Sequence, residues 1–480
     1  MISINNFING EFVPPNSNQY LDVYEPATGL IYSNVADSNS NDVENAYQSA
    51  QSAFKFWSGI SVEERAGYLN KIADGIESRL DEFAEYESRD TGKPISLAKS
   101  VDIPRAVSNF RFFAEFGLAF QFESELNSDQ SQNKLIRSPL GVVGCISPWN
   151  LPLYLFTWKI APALIAGNTV VAKPSEITPY TAFKLSEICR DAGFPVGVLN
   201  IIHGQGSTAG DALVGHRGIK AISFTGGTAT GKLITKKTAS SFKKLSLEMG
   251  GKNPAVIFAD CDYDNMLETM VRSSFSNQGQ ICLCSSRILV EESIYEKFKI
   301  DFVQRVSELK IGDPSKEGTQ FGALSSKGHY EKVLSYMEIA KQEGGKVLVG
   351  GNQIKINERC ETGWFVEPTI IEGLNNSCRT NQEEIFGPIV TLQSIQSEYE
   401  AIQLANETEY GLSATIWTED KEKANRVSSQ IDAGIIWVNC WLVRDLRTPF
   451  GGMKQSGMGR EGGDEALRFF TEPKNICTTQ

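Results

Sequence analysis

Between residues 141 and 258 the sequence alternates short apolar runs with longer segments of helical character. The apolar runs read GVVGCIS, NTVVAK, GVLNII, KAISF, KLSLE and PAVIF. Runs of this kind are typical of strands that are buried on both faces of a sheet, and helical crossovers between them predict parallel pairing. The pattern therefore favours an α/β fold with a doubly wound, Rossmann-like domain that can hold a nucleotide at the carboxyl edge of its sheet.

The segments on either side of this region are also expected to be regular. Before it, the sequence predicts helices over residues 41–57, 61–91 and 104–117, the last with Pro104 in its first turn. After it, a second α/β stretch is expected from about residue 263 to 440, and the tail ends in short strand-like pieces.

Composition excludes several classes of protein. The 480-residue chain carries a formal net charge of −12 and no basic block, which argues against a nucleic-acid-binding surface. The N-terminus, MISINNFINGEF, lacks the cationic start and apolar core of a secretory signal. The longest apolar stretch, near Trp158–Ala172, contains Lys159 and Asn168 and is too short and polar to span a bilayer. The nine cysteines, an odd and scattered set, favour a reducing cytoplasm over a disulfide framework.

The segment NQGQICLCSSR, residues 277–287, holds Cys282 and Cys284 one residue apart. The pair could be a metal clip, half of a disulfide, two buried packing residues or a nucleophile. The spacing does not fit a zinc pair, and no histidine lies within 60 residues upstream of Cys282 or 40 downstream, so we expect no metal site. A cysteine–histidine dyad formed through space stays open.

Two glycine-rich turns could bind phosphate. FTGGTATGKL, residues 224–233, nearly matches the P-loop pattern, but Leu233 stands where a hydroxyl should hold magnesium, which argues against a nucleotide hydrolase. HGQGSTAG, with Gly204, Gly206 and Gly210, misses the dinucleotide fingerprint by one residue. Both turns could present amide groups and a helix dipole to a pyrophosphate, or could simply close helix–strand connections.

Polar residues follow several of the expected strands. Lys173 and Glu176 in VVAKPSE could meet ribose hydroxyls, and Glu176 would repel a 2′-phosphate; alternatively Ser175 or Glu176 starts the next helix as a cap. Glu248 in LSLEMGGKNP emerges from apolar surroundings, which raise the pKa of a carboxyl group and suit a general base; alternatively it is solvated. Asn150 in SPWNLP could donate to a developing oxyanion or satisfy a turn.

These motifs, in this order, resemble the aldehyde dehydrogenase superfamily over essentially the whole chain. Further matching stretches are FINGEF (7–12), EPATG (25–29), EEIFGP (383–388) and PFGGMKQSGMGRE (449–461). The resemblance implies that Cys282 is the nucleophile, that Glu248 is the general base, and that Asn150 and the Cys282 backbone N–H hold the oxyanion. Cys284 is then a small buried packing residue.

The resemblance also implies NAD as the cofactor. The implied cofactor-binding positions are Ile146, Pro148, Trp149, Lys173, Glu176, Gly206, Gly210, Phe224, Gly227, Met249, Gly250, Glu384 and Phe386. Gly227 departs from the serine common in relatives, and Ile281 and Leu283 replace cysteines that flank the nucleophile in some of them. The implied chemistry is thiolate attack on an aldehyde, hydride loss to NAD, and hydrolysis of the resulting thioester with Glu248 activating water.

Two stretches, DIPRAVSNFRFFAEF and NCWLVRDLRTPFGG, resemble the branch of 2-aminomuconate and 2-hydroxymuconate semialdehyde dehydrogenases. In that branch Arg105 and Arg444 match arginines that grip a substrate carboxylate, which a guanidinium fork meets bidentately. Alternatively, Arg105 pairs with Asp102 and Arg444 with Asp445. The resemblance further implies that Phe450 lines the substrate site. Arg447 adds another positive charge, which either extends carboxylate recognition or faces solvent.

The resemblance implies the following division of the chain. Residues 1–121 and 141–250 would form the NAD-binding domain, residues 251–440 an α/β catalytic domain, and residues 122–140 and 441–480 a small β oligomerisation element. Through that element the chain is expected to form a homodimer or homotetramer. Its partner is expected to be a small-molecule aldehyde, with neither nucleic acid nor membrane involved.

Other functions stay open at this point. Some members of the superfamily are non-catalytic structural proteins, although these tend to lose catalytic residues that are present here. A P-loop hydrolase is disfavoured by Leu233. Within the enzyme class, a broad-range or betaine-type aldehyde dehydrogenase is the main alternative. A 2-amino and a 2-hydroxy semialdehyde are not distinguished, because both carry the carboxylate that the arginines would bind.

Overall fold

The computed structural model describes residues 2–479 and contains two large sheets. The first has eight strands, of which the five central ones are parallel. In sheet order these strands are Gly457–Met458, Lys244–Glu248, Ala221–Thr225, Val142–Ile146, Thr169–Lys173, Leu199–Ile201, Asn6–Ile8 and Glu11–Val13. The expected doubly wound α/β fold is confirmed.

The central strands are apolar throughout because both faces of the sheet are covered. Within strand Thr169–Lys173, Val170 and Ala172 belong to one hydrophobic core, whereas Val171 belongs to another on the opposite face. Successive side chains of a strand point to opposite faces, so a strand that is buried on both sides can carry no polar alternation.

The order of the parallel strands reverses between Val142–Ile146 and Ala221–Thr225. From Val142–Ile146 the chain first proceeds through two strands on one side, and then returns to add Ala221–Thr225 and Lys244–Glu248 on the other. A crevice opens at such a switch point outside the carboxyl ends of the strands, and ligands of doubly wound sheets bind there.

The second large sheet has seven strands, and all neighbours in it are parallel except one edge pair. In sheet order the strands are Lys346–Val349, Thr369–Glu372, Ile389–Ile395, Ser285–Glu291, Asn253–Ile257, Ser413–Trp417 and Ile435–Val438. Cys282 lies just before the central strand Ser285–Glu291.

Smaller sheets complete the strand architecture. One is antiparallel and is built from Glu123–Asn127, Ser131–Pro139 and Thr471–Thr479. A second three-stranded sheet joins Ile2–Ile4, Leu30–Ala36 and Tyr20–Glu25. Two further pairs are Gln353–Ile354 with Phe365–Val366, and Tyr410–Gly411 with Met453–Lys454.

Helices cover the sheets and join their strands. The α-helices are Ser40–Gly59, Val62–Ser78, Leu80–Thr91, Ile95–Leu97, Ile103–Ala119, Pro152–Ile165, Tyr180–Asp191, Asp211–Gly215, Thr228–Thr238, Tyr263–Phe275, Glu292–Ser307, Lys327–Gln342, Arg379–Gln382, Glu398–Asn406, Lys421–Ser428 and Gly463–Phe469. Within residues 2–479, no helix has both the length and the apolar character needed to cross a membrane.

The helix expected over residues 61–91 is wrong as a single element, because it breaks at Arg79. No glycine or proline marks the break. The Arg79 guanidinium instead donates to Glu82 at 2.7 Å and to Glu187 at 3.0 Å, and the second contact comes from a different helix. A tertiary contact thus overrides local helix propensity, which is a weak determinant by itself.

Candidate active site

A left-handed turn presents Cys282 to the interior of the molecule. Asn277, Gln278 and Gly279 have φ angles of 52°, 57° and 70°, in the region that only glycine adopts without strain. A Cβ atom at Gly279 would collide with the carbonyl oxygen of Gly387, so no other residue fits there unless the backbone moves. The backbone of the loop between helix Tyr263–Phe275 and strand Ser285–Glu291 is therefore held in one conformation.

Side-chain amides hold this loop from both sides. Gln278 Nε2 donates to the carbonyl oxygen of Ala323 at 2.6 Å. Asn253 Nδ2 donates to the carbonyl oxygens of Cys282 at 2.7 Å and of Cys284 at 2.9 Å. Cys284 itself is buried in an apolar cluster, as a packing residue should be. These bonds fix the backbone that carries the Cys282 thiol.

The Cys282 thiol is hydrogen-bonded to Glu248, with 3.3 Å between Sγ and Oε1. Thr225 Oγ1 donates to the other carboxylate oxygen at 3.0 Å. Burial, and after it the charge of the nearby Glu461, raise the pKa of Glu248 to about 7. Burial and the Glu248 charge also raise the pKa of Cys282 well above its ordinary value. A carboxylate that titrates near neutrality and touches a protonated thiol is placed to take its proton.

A buried ion pair between Lys159 and Glu461 lies near Glu248. Lys159 Nζ donates to Glu461 Oε1 at 2.7 Å, and Ser223 Oγ donates to the same oxygen at 3.2 Å. Glu461 raises the pKa of Glu248 and Lys159 lowers it, so the pair helps to set the titration of the base. Sequence reasoning missed this role. The available signal was Lys159 itself, the one charged residue of helix Pro152–Ile165. Every residue of that helix is buried.

Asn150 is buried beside the nucleophile with one amide hydrogen committed. Its Nδ2 donates to the carbonyl oxygen of Gln280 at 2.9 Å. The backbone carbonyl oxygen of Asn150 accepts from Lys93 Nζ at 3.1 Å and from Asn277 Nδ2 at 3.0 Å. An amide nitrogen carries two hydrogens, so one remains for an oxyanion. Asn150 and Cys282 line the same cavity, which is consistent with that role.

Cys282 lines three cavities, two of which are clearly larger than the third. The first is largely apolar and is lined by Leu97, Val101, Asp102, Arg105, Leu151, Tyr154, Leu155, Glu248, Arg272, Ser276, Ile281, Cys282, Leu283, Trp441, Leu442, Arg444 and Phe450. The second is lined by Pro148, Trp149, Asn150, Thr225, Gly226, Gly227, Met249, Gly250, Cys282, His329, Lys332, Glu384 and Phe386. One thiol between two cavities can meet an electrophile from one side while a second reactant waits on the other.

The second cavity brings together many of the predicted cofactor residues: Pro148, Trp149, Gly227, Met249, Gly250, Glu384 and Phe386. Glu384 is fixed there because its Oε1 accepts from the backbone N–H of Gly251 at 3.1 Å. A Cβ atom at Gly250 would collide with the Glu384 carboxylate, so the bare Gly250 backbone leaves room for the position that Glu384 occupies. Gly250 and Gly251, which follow the strand that carries Glu248, thus help to form the cavity wall as well as the turn.

Sequence reasoning missed His329 at the rim of the second cavity. The His329 Nε2 atom lies 2.7 Å from the carbonyl oxygen of Phe386, and burial lowers the pKa of His329 to about 4. Its ring packs 4.9 Å from Trp149, which meets Phe386 edge-on at 5.3 Å. A neutral histidine that is bonded to a backbone carbonyl is not the base for Cys282, whose hydrogen-bond partner within residues 2–479 is Glu248.

The remaining predicted cofactor residues do not line this cavity. They are Ile146, Lys173, Glu176, Gly206, Gly210 and Phe224, on the central strands of the first sheet or just beyond their carboxyl ends. Lys173 Nζ lies 3.1 Å from Glu176 Oε2. The helix that follows has Pro179 as its N-cap and no side-chain cap bond, so the alternative that Ser175 or Glu176 starts this helix as a cap is wrong.

Arg105 and Arg444 both line the first cavity, as predicted, and both contact Tyr154. The Arg105 guanidinium lies 5.5 Å from the centre of the Tyr154 ring. Arg444 Nη1 is hydrogen-bonded to the Tyr154 hydroxyl group, and its guanidinium lies 4.1 Å from the Trp158 ring and 4.3 Å from the Phe450 ring. Aromatic side chains thus hold both cations in place without neutralising them.

The alternative pairing of Arg105 with Asp102 is wrong. The Asp102 carboxylate is bonded to Lys93, and both of these side chains are buried. Arg105 forms no ion pair with any residue between 2 and 479, and burial lowers its pKa. The Asp102 carboxylate, which could otherwise pair with Arg105, therefore has Lys93 as its ion-pair partner.

The alternative pairing of Arg444 with Asp445 is also wrong. Asp445 pairs with Arg447 at 2.5 Å on the surface, where the Arg447 side chain is 72% exposed, so Arg447 faces solvent. Arg444 Nη2 is buried and has no hydrogen-bond partner in the described part of the chain. Burial and the neighbouring Arg105 lower the pKa of Arg444 to about 9 against the opposing charge of Glu461, and the group stays protonated at neutral pH. A buried cation without a counter-ion favours an anionic ligand.

Two further residues at the mouth of the first cavity escaped sequence reasoning. Arg272 is exposed, and its guanidinium lies 5.9 Å from the Trp441 ring. Trp441 Nε1 donates to the carbonyl oxygen of Leu283 at 2.9 Å, which ties the mouth of the cavity to the cysteine loop. In sequence, Arg272 is indistinguishable from any surface arginine of a helix.

Comparison with known proteins agrees with this geometry. The model of the aldehyde dehydrogenase family matches residues 12–476. The chain is 50% identical over 476 residues to the 2-aminomuconic semialdehyde dehydrogenase of Danio rerio, covering 98% of this chain and 97% of that protein. It is 46% identical to the 2-hydroxymuconic semialdehyde dehydrogenase of Pseudomonas sp. (strain CF600), covering 99% of both chains.

A solved structure is similar over the same span. Betaine aldehyde dehydrogenase from Staphylococcus aureus in complex with NAD+ superposes with a TM-score of 0.96 at 37% identity, covering 99% of this chain and 94% of that chain. The fold, the paired cavities around Cys282 and the full-length sequence matches agree. This chain belongs to the aldehyde dehydrogenase family.

Proposed function

We propose that this protein oxidises a carboxylate-bearing semialdehyde to the corresponding dicarboxylic acid with NAD as the hydride acceptor, and that 2-aminomuconate 6-semialdehyde is the substrate. The observation that carries the proposal is a pair of guanidinium groups, Arg105 and Arg444, that form no ion pair with residues 2–479 and lie in the cavity that ends at Cys282. The relatives named for 2-aminomuconic and 2-hydroxymuconic semialdehydes support the same substrate class.

The first half of the reaction follows from three side chains. Glu248 Oε1 takes the thiol proton across 3.3 Å, and the sulfur of Cys282 attacks the aldehyde carbon. The free amide hydrogen of Asn150 and the Cys282 backbone N–H donate to the oxygen as it becomes negative. Loss of hydride from this adduct leaves a thioester on Cys282.

Glu248 also serves the second half of the reaction. Between the two halves it releases the thiol proton to solvent. Its pKa of about 7 then lets the carboxylate remove a proton from the attacking water at neutral pH, and it returns this proton to the Cys282 sulfur when the acid leaves. The water attacks the thioester carbon, the carbon–sulfur bond breaks, and the acid leaves while the Cys282 thiol is restored.

Two features of the second cavity support a dinucleotide there. Gly227 is the N-cap of helix Thr228–Thr238, and open space lies where its side chain would be, so the helix N-terminus is accessible to a phosphate. Glu384 Oε2 carries no hydrogen bond from residues 2–479 and can accept one from a ribose hydroxyl group. When bound there, NAD supplies the acceptor for the hydride. The Glu176 carboxylate, at the next strand end, supports NAD over NADP because it would repel a 2′-phosphate.

The domain division and self-association remain part of the proposal. The eight-stranded sheet would carry NAD and the seven-stranded sheet would carry the nucleophile. The small antiparallel sheet would join copies of the chain into a dimer or tetramer. Strand Thr471–Thr479 supports this role because it lies at the edge of that sheet and all but its first residue are exposed. A free strand edge is a template for pairing with another chain.

Substitution of the arginines tests the substrate class. Arg444→Ala should lower kcat/KM for 6-oxohexa-2,4-dienoate, a carboxylate-bearing aldehyde, by about 10- to 150-fold, because a hydrogen bond between charged groups contributes about 1.5–3 kcal/mol. Activity on hexanal should change little. Arg447→Ala is the matched control, since Arg447 pairs with Asp445 at the surface. Equal losses on both aldehydes would make the arginines structural and leave a general aldehyde dehydrogenase.

The arginine pair also bears on the betaine-type alternative. Betaine aldehyde is a cation, and in this cavity it would approach two guanidinium groups that have no ion-pair partner within residues 2–479. Like charges at this distance repel, so the observation favours an anionic aldehyde.

A further inference from the structure

Asp102 lines the substrate cavity together with Arg105 and Arg444. It ends the π-helical turn Ala98–Asp102, directly before the helix Ile103–Ala119. Its Oδ2 atom is bonded to Lys93, and its Oδ1 atom accepts no hydrogen bond from any residue between 2 and 479. Asp102 therefore offers the cavity a carboxylate oxygen, Oδ1, that is free to accept a hydrogen bond beside the two arginines.

The position of Asp102 relative to Arg105 determines what this acceptor can reach. Residues three apart on a helix are neighbours on one face, with about 5–6 Å between their Cβ atoms. A carboxylate held by Arg105 and Arg444 places its adjoining carbon, the α-carbon, one bond further from the guanidinium groups. A substituent on that α-carbon then lies within reach of Asp102.

We infer that Asp102 is a specificity-determining residue that accepts a hydrogen bond from an amino or hydroxyl group on the carbon next to the substrate carboxylate. The inference rests on the proposed function, because it needs the carboxylate at the two arginines. A donor at this carbon matches the free carboxylate oxygen. The 2-oxo tautomer of a hydroxylated substrate places a carbonyl oxygen against that oxygen instead, and is rejected.

Lys93 allows a carboxylate to occupy this cavity without neutralising the arginines. Its Nζ atom is bonded to Asp102, lies 3.8 Å from Glu87 and donates to the carbonyl oxygen of Asn150 at 3.1 Å. The Asp102 charge is thus matched from behind by Lys93, while Arg105 remains without an ion pair. The same lysine joins the acceptor for the α-substituent to the turn that carries the oxyanion donor.

The test compares two substrates that differ only at the α-carbon. One is 2-hydroxymuconate 6-semialdehyde, and the other is 6-oxohexa-2,4-dienoate, which has the same chain and carboxylate but no 2-substituent. In Asp102→Asn the amide oxygen must face the Lys93 donor, so the NH2 group faces the substituent. The ratio of their kcat/KM values should then fall by about 10- to 150-fold, because the hydrogen bond to a charged acceptor is lost. The matched control, Asp445→Asn, should leave the ratio unchanged. Equal losses on both substrates in Asp102→Asn would overturn the inference.

A second measurement does not depend on a variant that folds. A 2-methoxy analogue of the semialdehyde keeps the oxygen and removes the donor, so the wild-type enzyme should use it at least about tenfold less well than the 2-hydroxy substrate. If the wild-type enzyme used the 2-methoxy and 2-hydroxy substrates equally well, the inference that Asp102 accepts a hydrogen bond from the 2-substituent would be contradicted. Both outcomes are separate from the arginine test, because all three dienoates carry the carboxylate and only hexanal lacks it.

Discussion

At the scale of single residues, the site depends on burial that changes what each charged group does. Glu248 and Arg444 are ordinary in sequence, but burial moves the pKa of the first up to about 7 and of the second down to about 9. The carboxylate becomes a base suited to neutral pH, and the guanidinium becomes a cation that needs an anion. Neither change alters the residue type; both follow from the removal of water.

The titration of Glu248 predicts the pH profile of turnover. With a pKa of about 7, roughly a tenth of the enzyme carries the carboxylate at pH 6 and roughly nine tenths at pH 8, so activity should rise with pH across this window. Glu248→Gln should lose this rise and reduce turnover by about 10²- to 10⁴-fold. Glu44→Gln, at an exposed glutamate, is the control.

Mass spectrometry of the quenched Glu248→Gln enzyme separates the two roles of the base. If Glu248 activates the hydrolytic water, an acyl adduct should accumulate on Cys282 during turnover. An unmodified Cys282 throughout slow turnover would show that Glu248 acts only before the thioester forms.

At the scale of elements, strand ends and one strained turn bring the site together. Alternating apolar runs predict the parallel sheet, and residues after its strands, such as Asn150 and Glu248, are predictable as ligands of its carboxyl edge. The break at Arg79 is not predictable, because it follows from a contact with Glu187 more than 100 residues away. Arg272 and His329 escape for the same reason: only the packed structure places their helices beside the cavities.

The candidate site divides in the same way. The order of motifs is enough to propose Cys282 and Glu248, and their 3.3 Å contact agrees with that proposal. The fate of Asp102 could not be read from sequence, because i, i+3 spacing equally favours a pair with Arg105. The pairing with Lys93 depends on how the helix Leu80–Thr91 packs against the following turn, which no local pattern encodes.

The left-handed turn before Cys282 predicts a strong effect of one methyl group. Gly279→Ala should lower the free energy of unfolding by about 1–3 kcal/mol and reduce kcat, because the new Cβ atom opposes a φ of 70° and collides with Gly387. Gly328→Ala is the matched control, since Gly328 lies in a helix with open space around it and alanine is the better helix former. Thermal unfolding and steady-state kinetics of both variants would check this, and equal behaviour would show that the turn is not strained.

At the scale of the whole molecule, residues from the two large sheets meet at the nucleophile, and the small antiparallel sheet shares no strand with either. Glu248 comes from the first sheet, and Cys282 comes from the loop before a strand of the second. The catalytic contact therefore exists only when the two halves are docked. Segments near the C-terminus reinforce the docking, because Gly457–Met458 adds a strand to the first sheet beside Glu248.

The exposed edge strand predicts that the assembled state is larger than one chain. The wild-type protein should sediment as a dimer or tetramer at micromolar concentration, and Ile476→Lys should shift it toward the monomer, because a lysine on an edge strand opposes pairing with another strand. Ile476 is 45% exposed in strand Thr471–Thr479, and Leu30, which is 61% exposed on a different sheet, provides the matched control Leu30→Lys. Analytical ultracentrifugation measures both variants. An oligomeric Ile476→Lys variant with unchanged mass would place the contact between copies elsewhere. A wild-type monomer would leave the small sheet without the role proposed for it.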